Sequence, residues 1–589
     1  MLTQSQFDVL YYLLKTGLAD NQRQIATAIN CSLGKVNKII ADFEQNNFIE
    51  NKDNFYKITK SGIKALAPYK VTNAIIMAAG MSSRFAPLSY EKPKGLLKVK
   101  GDILIEREIK QLQNAGITDI TIVVGYLKEM FFYLADKYNV KIVVNEDYYR
   151  YNNPSTLIRV LDKLSNTYIC SSDNYFVENV FEPYVYKSYY ATVFTSGKTD
   201  EWCVKEERNG RIKNVTIGGK NSWYMLGHVY WDKEFSKQFS TILKKEYDNS
   251  ETKEQLWEAL YIKHIKELDL IAKHYDSDKV LEFDSLDELR QFDSEYINNA
   301  DSSILKNICK ILKCEIKDIT GIKAIKAGLT NTSFMFKVKN ETYVYRHPGR
   351  GTENYINRKS EAFSMEIASK LELDNTFIFM DCNKGWKLSK FVSNARELDY
   401  NNKKEVVQAL EMMKKLHSQN IKSKYDFGLW KKTLDFISDL EKLGKTDFEG
   451  FYELFETMKA VNKKVTTDKY SLKCLCHCDC YSPNFLLNEK NEMFLIDWEY
   501  SGNDDPASDL GTFICCSDYD YDQSLNTIEL YLGYKPEKDE LCHYLGYIAE
   551  ASYYWFVWAL YQETRGNPVG EWLYLWYKNS KLFAEKTLA

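Results

Sequence analysis

In QSQFDVLYYLLKTG, residues 4–17, apolar side chains return every three to four positions, the spacing of an amphipathic helix. NQRQIATAINCSLGKVNKIIADFEQNNF repeats that spacing twice, with a break at Asn30–Ser32 where Ser32 can cap the second helix. FIENKDNFYKITKSGIKAL then offers two short strands about a polar turn and a closing helix. At Val71 the texture changes. NAIIMAAG is a buried-strand run opening into a small-residue loop, EREIKQLQNAG reads as helix, and ITDITIVVGY and VKIVVNEDYY read as strands. Alternating strands and helices over residues 71–297 predict an α/β domain with a mostly parallel sheet. Residues 298–589 are two-lobed: KAIKAGLTNTSFMFKVKNETYVYRHPG is strand-rich, NKKEVVQALEMMKKLHS opens a helical lobe, and long aromatic helices close the chain.

Composition narrows this picture only a little. The 589 residues exceed what one core usually supports, about 250–300 residues. A formal charge of −4 excludes a chain that binds nucleic acid over its whole surface. Residues 1–70 carry nine Lys/Arg against six Asp/Glu, a modest excess for a DNA binder. Thirteen cysteines without a framework spacing are expected to be reduced thiols, and with no apolar run near ~20 residues and no leader pattern, a cytoplasmic protein without membrane insertion is expected.

Two stretches carry phosphate chemistry. The first is AAGMSSRF with EKPKG downstream. Ala79, Gly80, Ser82 and Ser83 let backbone N–H groups approach a triphosphate, and Arg84 and Lys94 are cations for the charge that shifts onto pyrophosphate. The second is LCHCDCYSPNFLLNEKNEMFLIDWEY. Its alternating Cys474, Cys476, Cys478 and Cys480 raise the question of zinc. On an extended strand those sulfurs would all point one way and could not close a tetrahedron, so the cysteines are expected to pack the loop. Between and after them, His477, Asp479, Asn484 and Asp497 have the spacing of a kinase catalytic loop and metal-binding strand end.

The N-terminal segment resembles a winged helix-turn-helix, which suggests DNA as a partner through Lys35, Asn37 and Lys38; a docking or dimerisation module on the same scaffold is the alternative. Ala78-Ala79-Gly80-Met81-Ser82-Ser83-Arg84 with Pro93-Lys94 resembles the nucleotidyltransferase family, with Ser82 where that family usually has its second Gly. Within it, residues 71–297 are similar to bacterial CTP:phosphocholine cytidylyltransferases, through VVGYLKE, YICSSDNYF, TDEWCV and IKELDL. The resemblance implies a Rossmann-like fold, CTP, Mg²⁺ held by Asp173 and Asp284, and an acceptor site at Trp202, Trp257 and Glu258 that reads a quaternary ammonium through aromatic faces and a carboxylate.

HCDCYSPNFLLNEKNEMFLIDWEYSGNDDPASDLG resembles the choline/ethanolamine kinase family over roughly 305–589, together with AGLTNTSFMFKV, YRHPGRGTENYINRKSE and MKKLHS. That resemblance implies a two-lobed α+β kinase-like domain using ATP and Mg²⁺. It implies Asp479 as the base, Asn484 and Asp497 as metal ligands, Arg346 with Glu361 as the phosphate-reaching ion pair, and Asp509 as a brace for the loop. It also implies a cage for trimethylammonium from Trp555, Trp558 and Tyr577. The whole chain then reads as a fusion of choline kinase and phosphocholine cytidylyltransferase that converts choline through phosphocholine to CDP-choline. The alternatives are the same chemistry on ethanolamine or an aminophosphonate, and a transcriptional regulator whose enzyme-like halves sense choline.

Overall fold

The computed structural model describes residues 1–19, 21–52, 55–325, 331–349, 356–447 and 449–589. Residues 327–330 of the AGLT motif and 350–355 of the RGTENY motif lie outside the described residues. The chain forms two compact units, Met1–Cys309 with Glu315–Lys317, and Lys310–Cys314 with Asp318–Ala589.

The first unit begins with helices Gln4–Thr16, Gln22–Ala28 and Leu33–Gln45, a hairpin of Ile49–Lys52 with Phe55–Ile58, and helix Lys60–Leu66. Each helix start is chemically marked. Thr3 and Gln6 form a capping box, and Asn21, Ser32 and Thr59 accept backbone N–H groups of the helices they precede. The module shares a core with the segment that follows Phe181. Phe7 meets Tyr69 and Tyr186 at 5.1 and 5.5 Å between centroids, and Glu182 accepts from the Tyr11 hydroxyl and pairs with Lys15 at 3.2 Å.

A seven-stranded sheet follows, ordered Ile271–Tyr275, Tyr189–Glu206, Ile212–Trp231, Thr167–Ser171, Asn73–Ala78, Ile120–Val124, Lys141–Val144. Its centre is parallel, and apart from Asn73 and Thr121 the strands Asn73–Ala78 and Ile120–Val124 are apolar, as both faces are covered. The antiparallel ribbon of Tyr189–Glu206 and Ile212–Trp231 was not expected from the alternating pattern. Asn73–Ala78 has Ile120–Val124 on one side and Thr167–Ser171 on the other, so the chain order reverses there. Such switch points open a crevice beyond the carboxyl ends of the strands.

In the second unit, Ile319–Ile325, Asn331–Val338, Glu341–Pro348, Lys387–Lys390 and Phe377–Met380 form an antiparallel five-stranded sheet, in that order, with helix Arg358–Lys370 beside it. Helices from Lys403–His417 to Trp572–Leu588 enclose the short ladders Cys474–Cys476 with Gly502–Asp504 and Phe485–Leu487 with Met493–Leu495. Helix Lys538–Thr564 is buried along most of its length, which explains its apolar character on all sides. No helix among the described residues is long and apolar enough to cross a membrane.

Candidate active sites

In the first unit the loop after Asn73–Ala78 borders a cavity of about 490 Å³. Met77 to Ser83, Pro93 to Gly95 and Ser171 to Asp173 form one part of its wall, and Tyr148 to Asn153 another. Ser82 adopts φ +47°, the left-handed region that glycine occupies without penalty, so a serine there stores local strain of about 1 kcal/mol. Gly95 is required by close approach: a Cβ would stand 2.8 Å from the Ser172 carbonyl oxygen. Its absence lets the Lys94 segment lie against the strand end that carries Asp173.

Lys94 is 6% exposed, with Nζ 2.8 Å from Asp173 and 3.7 Å from Glu282. Burial works against its charge, but Asp173 and then Glu282 more than offset this, and its pKa rises above the usual lysine value. Glu282 is pushed up to about 7 by burial and then by Asp173, with Lys94 opposing. Glu282 was missed in the sequence, although it stands two positions before Asp284 in LEFD, the spacing that puts two side chains on one face of an extended segment. Asp284 lies within electrostatic reach of Lys94 and pairs with Arg84 at 3.3 Å. Arg84 is 78% exposed, and neither it nor Asp284 lines the cavity.

Beside the cavity, Asn153 donates to Glu258 at 3.5 Å and accepts from the Trp257 backbone N–H at 2.6 Å. The Tyr190 hydroxyl donates to the other Glu258 oxygen at 2.9 Å. Trp257 is 1% exposed, stacked on Tyr190 and in T-shaped contact with Trp231, so the cage reading is corrected there: the residue is buried in the core and backs Tyr190. Trp202, on the long ribbon opposite Ile217, is partly buried against the same apolar cluster.

Burial raises Glu258 to about 7, against hydrogen bonds that favour its ionised form. Below that pH the carboxyl is neutral and gives a cation little. With Glu258 facing the acceptor, affinity is expected to strengthen as pH rises from 6 to 8, and Glu258→Gln should flatten this part of the KM–pH profile. A glutamine variant that keeps the wild-type slope would remove Glu258 from acceptor binding.

In the second unit, the kinase-like residues meet where the lobes of that unit face each other. Asp479 and Asn484 are 7% and 5% exposed, and the Asn484 amide donates to the Asp479 carboxylate at 2.9 Å and to its carbonyl at 2.8 Å. Burial, and then Asp497, hold Asp479 well above the usual carboxylate range, and its Oδ1 is buried without a partner. Asp509 does brace the loop: its two oxygens accept from the His477 and Cys478 backbone N–H groups at 2.8 and 2.6 Å. His417 contacts it at 2.9 Å and helps keep its carboxyl below the usual range despite burial.

Arg346 pairs with Glu361 on helix Arg358–Lys370 and lies 3.2 Å from Asp497 and 3.6 Å from Glu499. Glu499, two residues beyond Asp497, was not picked out in the sequence; Asn331 also donates to it at 2.8 Å. Asp497 sits at φ +65°, a strained conformation that turns its carboxylate back toward Arg346.

Of the four alternating cysteines only Cys474–Cys476 is strand, and Cys478 turns to φ +66°, so the sulfurs do not share one face as an unbroken strand would require. The thiols of Cys474, Cys476 and Cys478 approach the carbonyls of Leu475, Asp504 and Gly502. Among the described residues, the group of His, Cys and acidic ligand atoms that lies within 4.8 Å of one another is His417, Cys476 and Asp509. Its His417–Asp509 contact and the Asp509 bonds to backbone belong to the brace.

Trp555 and Trp558 come together at 5.3 Å and 83°, two walls at nearly a right angle. From the last helix it is Trp576 that meets Trp555, at 5.8 Å, and not Tyr577, whose ring meets Phe556 at 5.3 Å. Adjacent helical residues point ~100° apart, which accounts for the correction. Tyr554 links this cluster to the catalytic loop, 5.1 Å from Trp555 and within electrostatic reach of Asp479.

A choline/ethanolamine kinase family model matches residues 322–565, and a MobA-like NTP transferase domain model matches residues 74–229. The chain is 33% identical over 220 residues to choline-phosphate cytidylyltransferase of Streptococcus pneumoniae, covering 37% of this chain and 96% of that protein. It is 35% identical over 230 residues to 2-aminoethylphosphonate cytidylyltransferase of Lancefieldella rimae, covering 38% and 94%. Among solved structures, CTP:phosphocholine cytidylyltransferase from Streptococcus pneumoniae shares 34% identity over 37% of this chain and 96% of that one, with a TM-score of 0.37. Choline kinase LicA from the same organism shares 21% over 49% and 99%, with a TM-score of 0.41. Through its central part the chain belongs to the nucleotidyltransferase family that includes choline-phosphate cytidylyltransferase, and its C-terminal part carries a choline/ethanolamine kinase domain.

Proposed function

We propose that this chain phosphorylates choline with ATP and then joins phosphocholine to CTP, giving CDP-choline and pyrophosphate. The observation that carries the reading is the presence of two separate phosphate-handling constellations, Asp479–Asn484 with Arg346 near Asp497, and Lys94 with Asp173 and Glu282. In the first, Asp479 accepts the proton of the substrate hydroxyl as its oxygen bonds to the γ-phosphorus and ADP departs. The raised proton affinity of Asp479 suits that task. In the second, the phosphocholine oxygen attacks the α-phosphorus, pyrophosphate leaves, and Lys94 stands beside the charge that develops.

Carboxylate and amide oxygens are hard donors that suit Mg²⁺. Asp173, Asp284 and Glu282 would hold it in the transferase site, and Asn484 and Asp497 in the kinase site, where the orphaned Asp479 Oδ1 also calls for a partner. When bound, the ion neutralises phosphate charge. Ala79, Gly80, Ser82, Ser83 and Arg84 are the remaining nucleotide contacts in this reading, with Trp202 and Glu258 at the acceptor and Trp555, Trp558 and Trp576 around choline.

Phosphorus NMR of the purified chain with Mg²⁺, ATP, CTP and choline tests both halves, with ethanolamine in a parallel tube. Phosphocholine is expected first and a CDP diester with pyrophosphate second; a chain that consumes neither amine overturns the reading. A second reading, with an aminophosphonate or phosphoethanolamine as acceptor, is favoured by the 35% identity to the aminoethylphosphonate enzyme and by the polar Tyr190–Glu258–Asn153 group, which suits a primary ammonium. Competition between phosphocholine and 2-aminoethylphosphonate for CTP separates the two.

We also read the N-terminal helices and hairpin as a winged helix-turn-helix. Lys35, Asn37 and Lys38 are exposed on Leu33–Gln45, which supports a DNA contact. Salt-dependent retention of duplex DNA that is lost in a Lys35→Ala/Lys38→Ala double variant is the expected result, and no retention at low salt overturns it. Cys474, Cys476, Cys478 and Cys480 are buried thiols without a disulfide, which supports a reducing compartment such as the cytoplasm.

A further inference from the structure

The segment that presents Lys94 is held from behind by residues on their way out of the transferase fold. The Lys100 N–H donates to Asp293 at 2.7 Å, and the Tyr296 hydroxyl donates to the Lys98 carbonyl at 2.8 Å. The strongest tie is Glu91, three residues before Lys94. Its carboxylate faces the N-terminus of helix Ser303–Leu312 and accepts from the Ser303 and Ile304 N–H groups at 2.9 and 3.3 Å. The hydroxyls of Ser302 and Ser303 donate to the same carboxylate. Ser302 is fully buried and Ile304 nearly so.

A carboxylate at this place is well matched, since the first N–H groups of a helix have no partner within it and carry partial positive charge. Charge-assisted hydrogen bonds are roughly twice as strong as neutral ones, and here several converge on one group. Between Glu91 and Lys94 there is little slack. Pro93 fixes one backbone angle, Lys94–Leu96 is a single tight turn, and Gly95 is pressed against Ser172. A shift of Glu91 is therefore passed to the Lys94 ammonium.

We propose that Glu91, Ser302 and Ser303 form a latch that positions Lys94, making the connector around residues 293–304 a working part of the nucleotide site. The helix that the latch grips runs on to Leu312, and residues 310–314 group with the second unit. Nothing in the phosphate chemistry itself requires an acid at Glu91, so the latch is a positioning device. The inference rests on the reading that Lys94 meets nucleotide phosphates.

The test uses the full chain as Glu91→Ala and as Ser302→Ala/Ser303→Ala. CTP affinity is measured by calorimetry with Mg²⁺, deuterium exchange is followed over residues 88–100, and choline phosphorylation serves as an internal folding control. Both variants are expected to bind CTP about tenfold more weakly, the loss of one to two charge-assisted bonds, with faster exchange over that segment and unchanged kinase turnover. Glu91→Gln, which keeps one acceptor oxygen, should recover part of the affinity. Wild-type CTP binding with unchanged affinity in both variants overturns the latch alone, even if exchange accelerates. No CTP binding by the wild type overturns the nucleotide reading, and the latch with it.

Discussion

Asp479→Ala is expected to lower choline phosphorylation by about 10³-fold, the middle of the range for general acid–base groups, while CMP transfer from supplied phosphocholine stays intact. The size follows from position. Asp479 is nearly buried, Asn484 holds one of its oxygens, and Asp509 fixes the two residues before it through their backbone N–H groups. No neighbouring carboxylate is placed to take over: Asp497 and Glu499 are engaged by Arg346, and Asp509 by the loop. The fold should tolerate the change, because the substitution removes a buried carboxyl whose Oδ1 has no partner. Separate assays of the two half-reactions on the same preparation decide the matter. Kinase turnover above one tenth of wild type would remove Asp479 from the chemistry, and parallel loss of both activities would point to misfolding.

Lys94→Ala should have the opposite signature, a fall of about 10²–10³-fold in cytidylyl transfer with kinase activity retained. Lys94 is a buried cation fixed between Asp173 and Glu282, already oriented before any nucleotide arrives, which is the condition under which a charge stabilises a transition state most. Its removal also leaves those carboxylates facing each other without compensation. Lys94→Arg is not expected to rescue the loss, because a planar guanidinium is bulkier than the compact ammonium that is buried between Asp173 and Glu282 and cannot take its place. Recovery by arginine to within a few-fold of wild type would show that charge alone, without placement, suffices.

The legible parts of this protein were those set by neighbours along the chain. NAIIMA and ITIVV announced buried strands through nearly unbroken apolar runs, and Ser32 marked a helix start through its own side chain. Asp479 and Asn484 were recognisable because five residues of loop suffice to bring them within a hydrogen bond. Spacing was informative wherever one element carried the whole relationship.

It failed where two elements had to meet. Trp257 looked like a cage wall, but it is buried, stacked on Tyr190 and packed against Trp231 and Phe239. Trp576 stands beside Trp555 in place of Tyr577 because the approach of two helices selects which stripe faces inward. Arg84 pairs with Asp284 across two hundred residues, and Glu91 grips a helix start more than two hundred residues away. Periodicity determines which side chains share a face of a strand or helix. Which face meets which partner is decided by the free energy of packing all the elements at once, and no local stretch of sequence contains that sum.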